Sequence, residues 1–316
     1  MADKKIIAVV GATGAQGGGL VRAILADKGR EFTARAITRT PDSEKARALA
    51  AQGAEVVAGD TDDPASLESA FAGAYGAYCV TNFWEHGEPQ RELEQAGALA
   101  RATKKAGLQH VVWSTLEDTR KDVPLDDSRL KTLNGKYKVP HFDAKGEANA
   151  VFESEGAPAS YMLAAFYWDN LIHFGMGPRK QEDGSLVFAL PLGGQKLPGI
   201  GAEDIGGAAY GIFKRGPSAA GQRFGISGEN LSGDEMAAKL GKALGEKVVF
   251  YDMPFDAYRA LGFPGADDLG NMFEYHMLLG EKFLAARDPK LTRELNPATR
   301  DFDAWLRDNV SKIAIG

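Results

Sequence analysis

The chain has 316 residues, about two domains at ~150 residues each, so it buries a core without disulfide or metal staples and small-scaffold folds are excluded. Hydrophobic residues make up 44% and charged residues 25% of the composition, and no run approaches the ~20 apolar residues of a membrane span, as expected of a soluble protein. A formal net charge of −6 argues against general affinity for nucleic acid, and one cysteine with five scattered histidines offers neither a disulfide nor a metal-ligand spacing.

The N-terminus passes from Lys4-Lys5 straight into Ile6-Ile7-Ala8-Val9-Val10 and then glycines, with no signal-peptide core, so the cytoplasm is the expected compartment. Short β-branched runs then alternate with helical patterns. Strands are expected over Lys5–Val10, Phe32–Thr38, Glu55–Ala58, Ala77–Thr81 and Val111–Ser114, and helices over Gln16–Leu25, Ser43–Ala51, Ala65–Phe71 and Arg91–Ala106. A sixth unit follows, with a helix over Phe142–Ser154 and a strand near Ser160–Leu163. This alternation predicts an α/β fold with a Rossmann-type doubly wound parallel sheet. After Leu163, glycines and prolines at 175, 177, 178, 184, 191, 193, 194, 198, 199 and 201 break any long period and read as loops and short strands. A returning strand is expected at Arg223–Ile226, and Ser232 with Glu235 forms a capping box ahead of a helix to Leu244. The expected division is a nucleotide-binding domain of residues 1–165 plus about 199–228, and a smaller discontinuous α+β domain of about 166–198 plus 229–316. Residues 121–138 read as a mobile loop beside a site.

Gly11-Ala12-Thr13-Gly14-Ala15-Gln16-Gly17 directly follows the first strand and opens the first helix. In that context the glycines permit a tight turn and close approach of a pyrophosphate, met by backbone N–H groups at the helix N-terminus. The plainer alternative is a glycine-rich turn without a ligand. The spacing is G-x-x-G-x-x-G, a variant found in the short-chain dehydrogenase superfamily. After the second strand, where an NAD site usually offers Asp or Glu for the ribose 2′-hydroxyl, this chain has Thr38-Arg39-Thr40. Arg39 has a planar fork suited to a 2′-phosphate, which makes NADP(H) the expected cofactor.

Further stretches join this motif: Gly53-Ala54-Glu55-Val56-Val57 with Gly59-Asp60, Val80-Thr81-Asn82-Phe83-Trp84-Glu85, His141-Phe142-Asp143-Ala144-Lys145-Gly146-Glu147, and Leu261-Gly262-Phe263-Pro264-Gly265-Ala266. Together they resemble the NmrA-like family, an atypical branch of the short-chain dehydrogenases/reductases, and within it the NADPH-sensor subgroup. The resemblance covers nearly the whole chain. It implies that Asp60 and Thr61 lie beside the adenine, that Thr81, Asn82 and Phe83 lie near the ribose and pyrophosphate, and that Lys145 with Tyr167-Trp168-Asp169-Asn170 lies near the nicotinamide. A family lysine in the helix after the fourth strand is replaced by Glu94 and is not carried over.

Catalytic members of the superfamily carry Tyr-x-x-x-Lys and a Ser or Thr at the end of the fifth strand. Here Lys145 is preceded four residues earlier by His141, while Ser114 and Thr115 end the strand. On a helix that spacing puts His141 and Lys145 on one face. His141 is therefore a candidate proton donor in place of the tyrosine, with helix capping or packing as the alternative. Tyr137 falls before the helix. The aromatic set Phe83, Trp84, His86, Phe166, Tyr167, Trp168 and His173 suits a pocket for a flat apolar substrate or, equally, packing between the domains. Cys79, in an apolar run, reads as an inert buried thiol. Two functions follow: a redox sensor that binds NADP(H) and acts on a protein partner, and an NADPH-dependent reductase of a quinone, enone or aromatic carbonyl. Direct binding of nucleic acid has no helix-turn-helix or basic strip behind it, and an oligomer is compatible with either reading.

Overall fold

The computed structural model describes residues 4–29 and 31–316. The main sheet contains β1 (Lys5–Val9), β2 (Phe32–Thr38), β3 (Glu55–Ala58), β4 (Gly76–Cys79), β5 (His110–Thr115), β6 (Ala159–Leu163) and the strand Arg223–Gly225. Their spatial order is Arg223–Gly225, β6, β5, β4, β1, β2, β3, and every neighbouring pair is parallel. The order reverses at β1, which pairs with β2 on one side and β4 on the other. Ligands of such sheets bind in the crevice beyond the strand carboxyl ends at that switch point.

Parallel strands require crossover helices, and the sequence supplies them with local stop and start signals. The helices are α1 (Ala15–Ala26), α2 (Glu44–Ala51), α3 (Pro64–Phe71), α4 (Pro89–Lys105) and α5 (Pro140–Ser154). Ser43 caps α2 by accepting the Ala46 N–H at 3.3 Å, and Asp63 caps α3 with Pro64 in the first turn. On one sheet face α3, α4 and α5 bury Leu67, Phe71, Leu99, Trp113 and Phe152. On the other, α1 and the helix Ala202–Lys214 bury Leu20, Ile24, Ile205, Ile212 and Phe213.

The helix Ala202–Lys214 lies in a stretch for which the sequence pattern named no element. Its glycines hid it, and they are present for steric reasons. A Cβ on Gly206 would lie 2.0 Å from the Leu20 backbone nitrogen, and one on Gly19 would lie 2.4 Å from the Glu203 carbonyl oxygen. The two helices thus cross backbone to backbone, which only glycine allows.

The rest of the chain forms two small sheets and a helical C-terminal segment. Leu197–Ile200 pairs with Glu229–Leu231 and with Phe166–Tyr167, while Leu186–Leu190 pairs with Val248–Asp252 and Arg179–Lys180. Ser232 and Glu235 form the expected reciprocal capping box at 3.1 and 2.7 Å. A third core joins these sheets to the helices Ala266–Leu279 and Phe302–Asn309. Among the described residues no helix is long and apolar enough to cross a membrane.

Segment 121–138 is tied down, contrary to the expected mobile loop. The buried Lys138 ammonium donates to the carbonyls of Asp127 and Leu130, and Asn271 Nδ2 donates to the carbonyls of Lys131 and Lys138. Tyr275 also donates to Asp122 at 2.8 Å. The segment thus satisfies part of its own backbone through Lys138 and is fastened to the C-terminal helix by Asn271 and Tyr275.

Candidate functional site

The turn after β1 is built on Gly11, whose φ of +65° is a left-handed conformation that a side chain disfavours. Its carbonyl accepts the Gly14 N–H at 2.9 Å, and a Cβ on Gly17 would lie only 2.4 Å from that same oxygen. Helix α1 therefore starts tight against the turn. Gly14 is its N-cap and supplies no side-chain cap, no acidic residue stands in the first turn, and Gly14 and Ala15 are exposed. This leaves the first-turn amides and the positive end of the helix dipole facing the crevice, the requirement for holding a pyrophosphate. Thr13 is half-buried at its edge.

At the end of β2 the Arg39 guanidinium forms a forked pair with the Glu85 carboxylate. Glu85 ends the single 3₁₀ turn Phe83–Glu85 that follows β4, so the pair bridges the tips of two strands. This partner raises Arg39 further above its already basic range, and about half of each side chain remains in water. Asp60 and Thr61 are half-buried beyond β3; Asp60 Oδ1 accepts the Asp62 N–H at 3.0 Å. Asn82 is exposed and Phe83 is buried.

Gln16 is the hub of the crevice floor. Its Oε1 accepts from Ser114 Oγ at 2.8 Å and from the Tyr78 hydroxyl, and its Nε2 donates to the Tyr167 hydroxyl. Burial pushes Tyr167 up to about 12 and Tyr78 higher still, so both stay neutral phenols at ordinary pH. Ser114 thus stands where the resemblance expects it, with its proton directed to Gln16.

Lys145 is committed elsewhere in the protein. Its Nζ donates to the Thr81 carbonyl at 3.1 Å, to Thr81 Oγ1 at 2.8 Å and to Glu92 Oε1 at 2.6 Å. An ammonium has three protons, and all three have acceptors here. Thr81 Oγ1 in turn donates to Glu92 Oε1. Glu92 is fully buried on α4, and its second oxygen lies 3.6 Å from His86 Nε2. His86 Nδ1 accepts the Glu88 N–H at 3.0 Å, which leaves the imidazole proton on Nε2, aimed at Glu92. The expected roles of Lys145 and Thr81 toward a ribose meet a competing partner in Glu92.

The His141 side chain does not cap α5; its ring is buried, packs against Phe83, Trp84 and Phe142, and has a carboxylate partner. Its Nδ1 lies 2.6 Å from Asp268 Oδ1, and its backbone N–H donates to Asp268 Oδ2 at 3.1 Å. Asp268 sits on the helix Ala266–Leu279, so one carboxylate from the C-terminal segment orients both the ring and the start of α5. Trp84 lies 4.8 Å from the His141 ring, between centroids, and its indole also covers Gly265, where a Cβ would approach within 2.7 Å. The Phe263-Pro264-Gly265 stretch is thereby a seat for Trp84. Tyr137 is buried, precedes α5 and makes no hydrogen bond to these groups.

Trp168 requires a correction. The resemblance places it near the nicotinamide, yet the indole is 1% exposed, packs 5.1 Å from Phe302 and 6.1 Å from Trp305, and covers Gly199. It belongs to the third core because the strand Phe166–Tyr167 alternates its faces: Tyr167 points to Gln16 and Trp168 points away. Asn170 begins a short helix and is half-buried. Of the aromatic set, Phe83 packs against His141 and Phe166 against Phe273, each within its own region, while Trp84 is 46% exposed. Cys79 is buried, which raises its thiol well above the ordinary range, in keeping with an inert role.

Sequence reasoning missed Glu92, Glu85 and Asp268. Two of them carried a signal. Glu92 lies on the stripe Glu92, Ala96, Leu99, Thr103, and Asp268 on the stripe Asp268, Asn271, Met272, Tyr275, both buried at helical spacing. A carboxylate on a buried stripe needs a partner, which is the clue.

The chain matches the NmrA-like family over residues 3–306. The NmrA-like family domain-containing oxidoreductase FrzB of Cladobotryum sp. is 30% identical over 305 residues, 89% of this chain and 86% of its own. Among solved structures, NmrA, a negative transcriptional regulator, in complex with NADP superposes with a TM-score of 0.77 at 23% identity, over 98% of this chain and 96% of its own. The Citrobacter sp. triphenylmethane reductase complexed with NADP(H) superposes with a TM-score of 0.74 at 21% identity, over 96% of this chain and 99% of its own. The length of the family match and the identity to FrzB lead to one conclusion: this chain belongs to the NmrA-like family.

Proposed function

We propose that the protein binds NADP(H) across the carboxyl ends of β1, β2 and β4 and acts as a redox-responsive binding protein. The observation that carries the dinucleotide reading is the uncapped α1 N-terminus on the Gly11–Gly17 turn, with Arg39 at the tip of the neighbouring strand. The residues present fit such a group. First-turn amides of α1 would hold the pyrophosphate, Arg39 the 2′-phosphate, Asp60 and Thr61 the adenine side, and Gln16, Tyr167 and Asn170 the nicotinamide side. The NmrA and triphenylmethane reductase structures, solved with NADP and NADP(H), support the same reading. The binding role is favoured over turnover because the tyrosine of the usual Tyr-x-x-x-Lys pair is absent and the three Lys145 protons already have protein acceptors. A sensor of this kind shifts its own equilibrium only by binding the two redox forms, or the two conformations, with different affinity.

A second reading, an NADPH-dependent reductase of a small flat substrate, is favoured by the His141–Asp268 dyad and by the oxidoreductase name of FrzB. A nicotinamide cofactor supplies hydride when bound. In this chain Asp268 would hold the His141 proton on Nδ1 and fix the ring, while Trp84 would shield it from water.

The discriminating experiment follows NADPH absorbance with the purified protein and a panel of quinones, enones, aldehydes and triarylmethane dyes. Saturable NADPH binding without consumption is the result expected of the binding protein. Turnover that falls ~10²–10⁴-fold in His141→Ala, with NADPH affinity retained, would establish the reductase instead.

A further inference from the structure

The Arg39 fork already holds a carboxylate. Glu85 reaches it from the 3₁₀ turn after β4, across 46 residues of sequence, with two nitrogens facing two oxygens. Any 2′-phosphate that uses Arg39 must share or displace that carboxylate, and it brings about −1.5 to −2 of charge beside it. A ribose 2′-hydroxyl brings no charge, and a carboxylate is the group that dinucleotide sites commonly use to accept it. Nothing else ties Glu85 in place: among the described residues Arg39 is its only side-chain partner, and the side chain is 44% exposed.

We propose that Glu85 is a specificity-determining residue that sets the balance between NADP(H) and NAD(H) by competing with the 2′-phosphate for Arg39. The inference rests on the dinucleotide reading above. Arg39 by itself marks the protein for NADP(H); Arg39 with Glu85 makes a site that admits both, with Glu85 weakening one and serving the other. Glu85 adjoins Trp84, which covers His141 and Gly265, so the outcome of the competition falls on the turn that touches both regions of the chain.

The test is calorimetric titration of NADPH and NADH into the wild type, Glu85→Gln, Arg39→Gln and the double variant, at low and at physiological salt. Exposed ion pairs contribute little to stability, so Glu85→Gln folds as the wild type does, and melting curves check this. The expected result is NADPH bound about two- to fivefold more tightly by Glu85→Gln, from release of an exposed pair, with NADH unchanged or weaker. The gain for NADPH is smaller in the Arg39→Gln background and at the higher salt. An NADPH-to-NADH preference that stays constant or falls in Glu85→Gln, in a protein that binds either cofactor, overturns the role of Glu85 alone. A wild type that binds neither overturns the dinucleotide reading itself.

Discussion

At the β2 tip Arg39 and Glu85 meet with 58% and 44% of their side chains exposed, whereas at the β4 tip Lys145 and Glu92 meet with 12% and 0% exposed. Both are ion pairs beside the same crevice, but water makes them different devices. The exposed pair holds its partners by ~1 kcal/mol or less, so a ligand phosphate can replace one of them. The buried pair has given up its hydration, and removing either member strands a charge that the site cannot solvate. On the dinucleotide reading, recognition would belong to the outer pair and framework to the inner one, although the sequence offers both basic residues for the cofactor, Arg39 by its place after the second strand and Lys145 by the family resemblance.

The comparison breaks most visibly at Lys145. Lys145→Met should cost about 3–5 kcal/mol in chemical denaturation, the usual result of leaving a buried partner uncompensated. The double variant Lys145→Met, Glu92→Leu should recover most of that. Lys145→Met with wild-type stability would show that the pair is not framework and would return Lys145 to a purely ligand-directed role.

A buried group kept neutral sharpens the contrast. His110 is fully buried on β5, with Nε2 donating at 2.9 Å to Ser160, whose hydroxyl donates onward to the Ala219 carbonyl. Protonation would place a second N–H on Nδ1, which has no acceptor, and burial lowers the imidazole from 6.5 to about 4. The unfolded chain thus binds this proton first as pH falls. The contribution is fully present above pH ~6.5 and is lost between there and about 4, by up to ~1.4 kcal/mol per pH unit. Denaturation of the wild type and His110→Gln across that window should show a shallower slope in the variant; equal slopes would remove His110 from the account. The smallest effect belongs to the outer pair, where Glu85→Gln should change stability by less than about 1 kcal/mol.

How much of this was legible depends on whether the reason is local. β2 and β3 fall on their predicted residues, and β1, β4, β5, β6 and α1–α5 differ by one or two at their ends, because alternation, caps and glycine turns are local signals. The Gly11–Gly17 turn was legible for the same reason. The helix Ala202–Lys214 was not, since Gly206 and Gly211 answer to Leu20 and Leu295, distant backbone that a single window of sequence does not contain. In the site, Lys145 and His141 were found by spacing on one helix, but their partners Glu92 and Asp268 come from other elements 53 and 127 residues away. Trp168 was misplaced because adjacent strand residues point to opposite faces, and proximity along the chain to Tyr167 says nothing about which face is which.

The most direct test of the central claim is an equilibrium titration of NADPH and NADH into the wild type and Arg39→Ala. The account predicts one saturable site for NADPH, weakened by about ten- to a hundredfold when the charge-assisted contact of Arg39 is removed, with a much smaller loss for NADH. Absence of NADPH binding, or an equal loss for both cofactors, would contradict it.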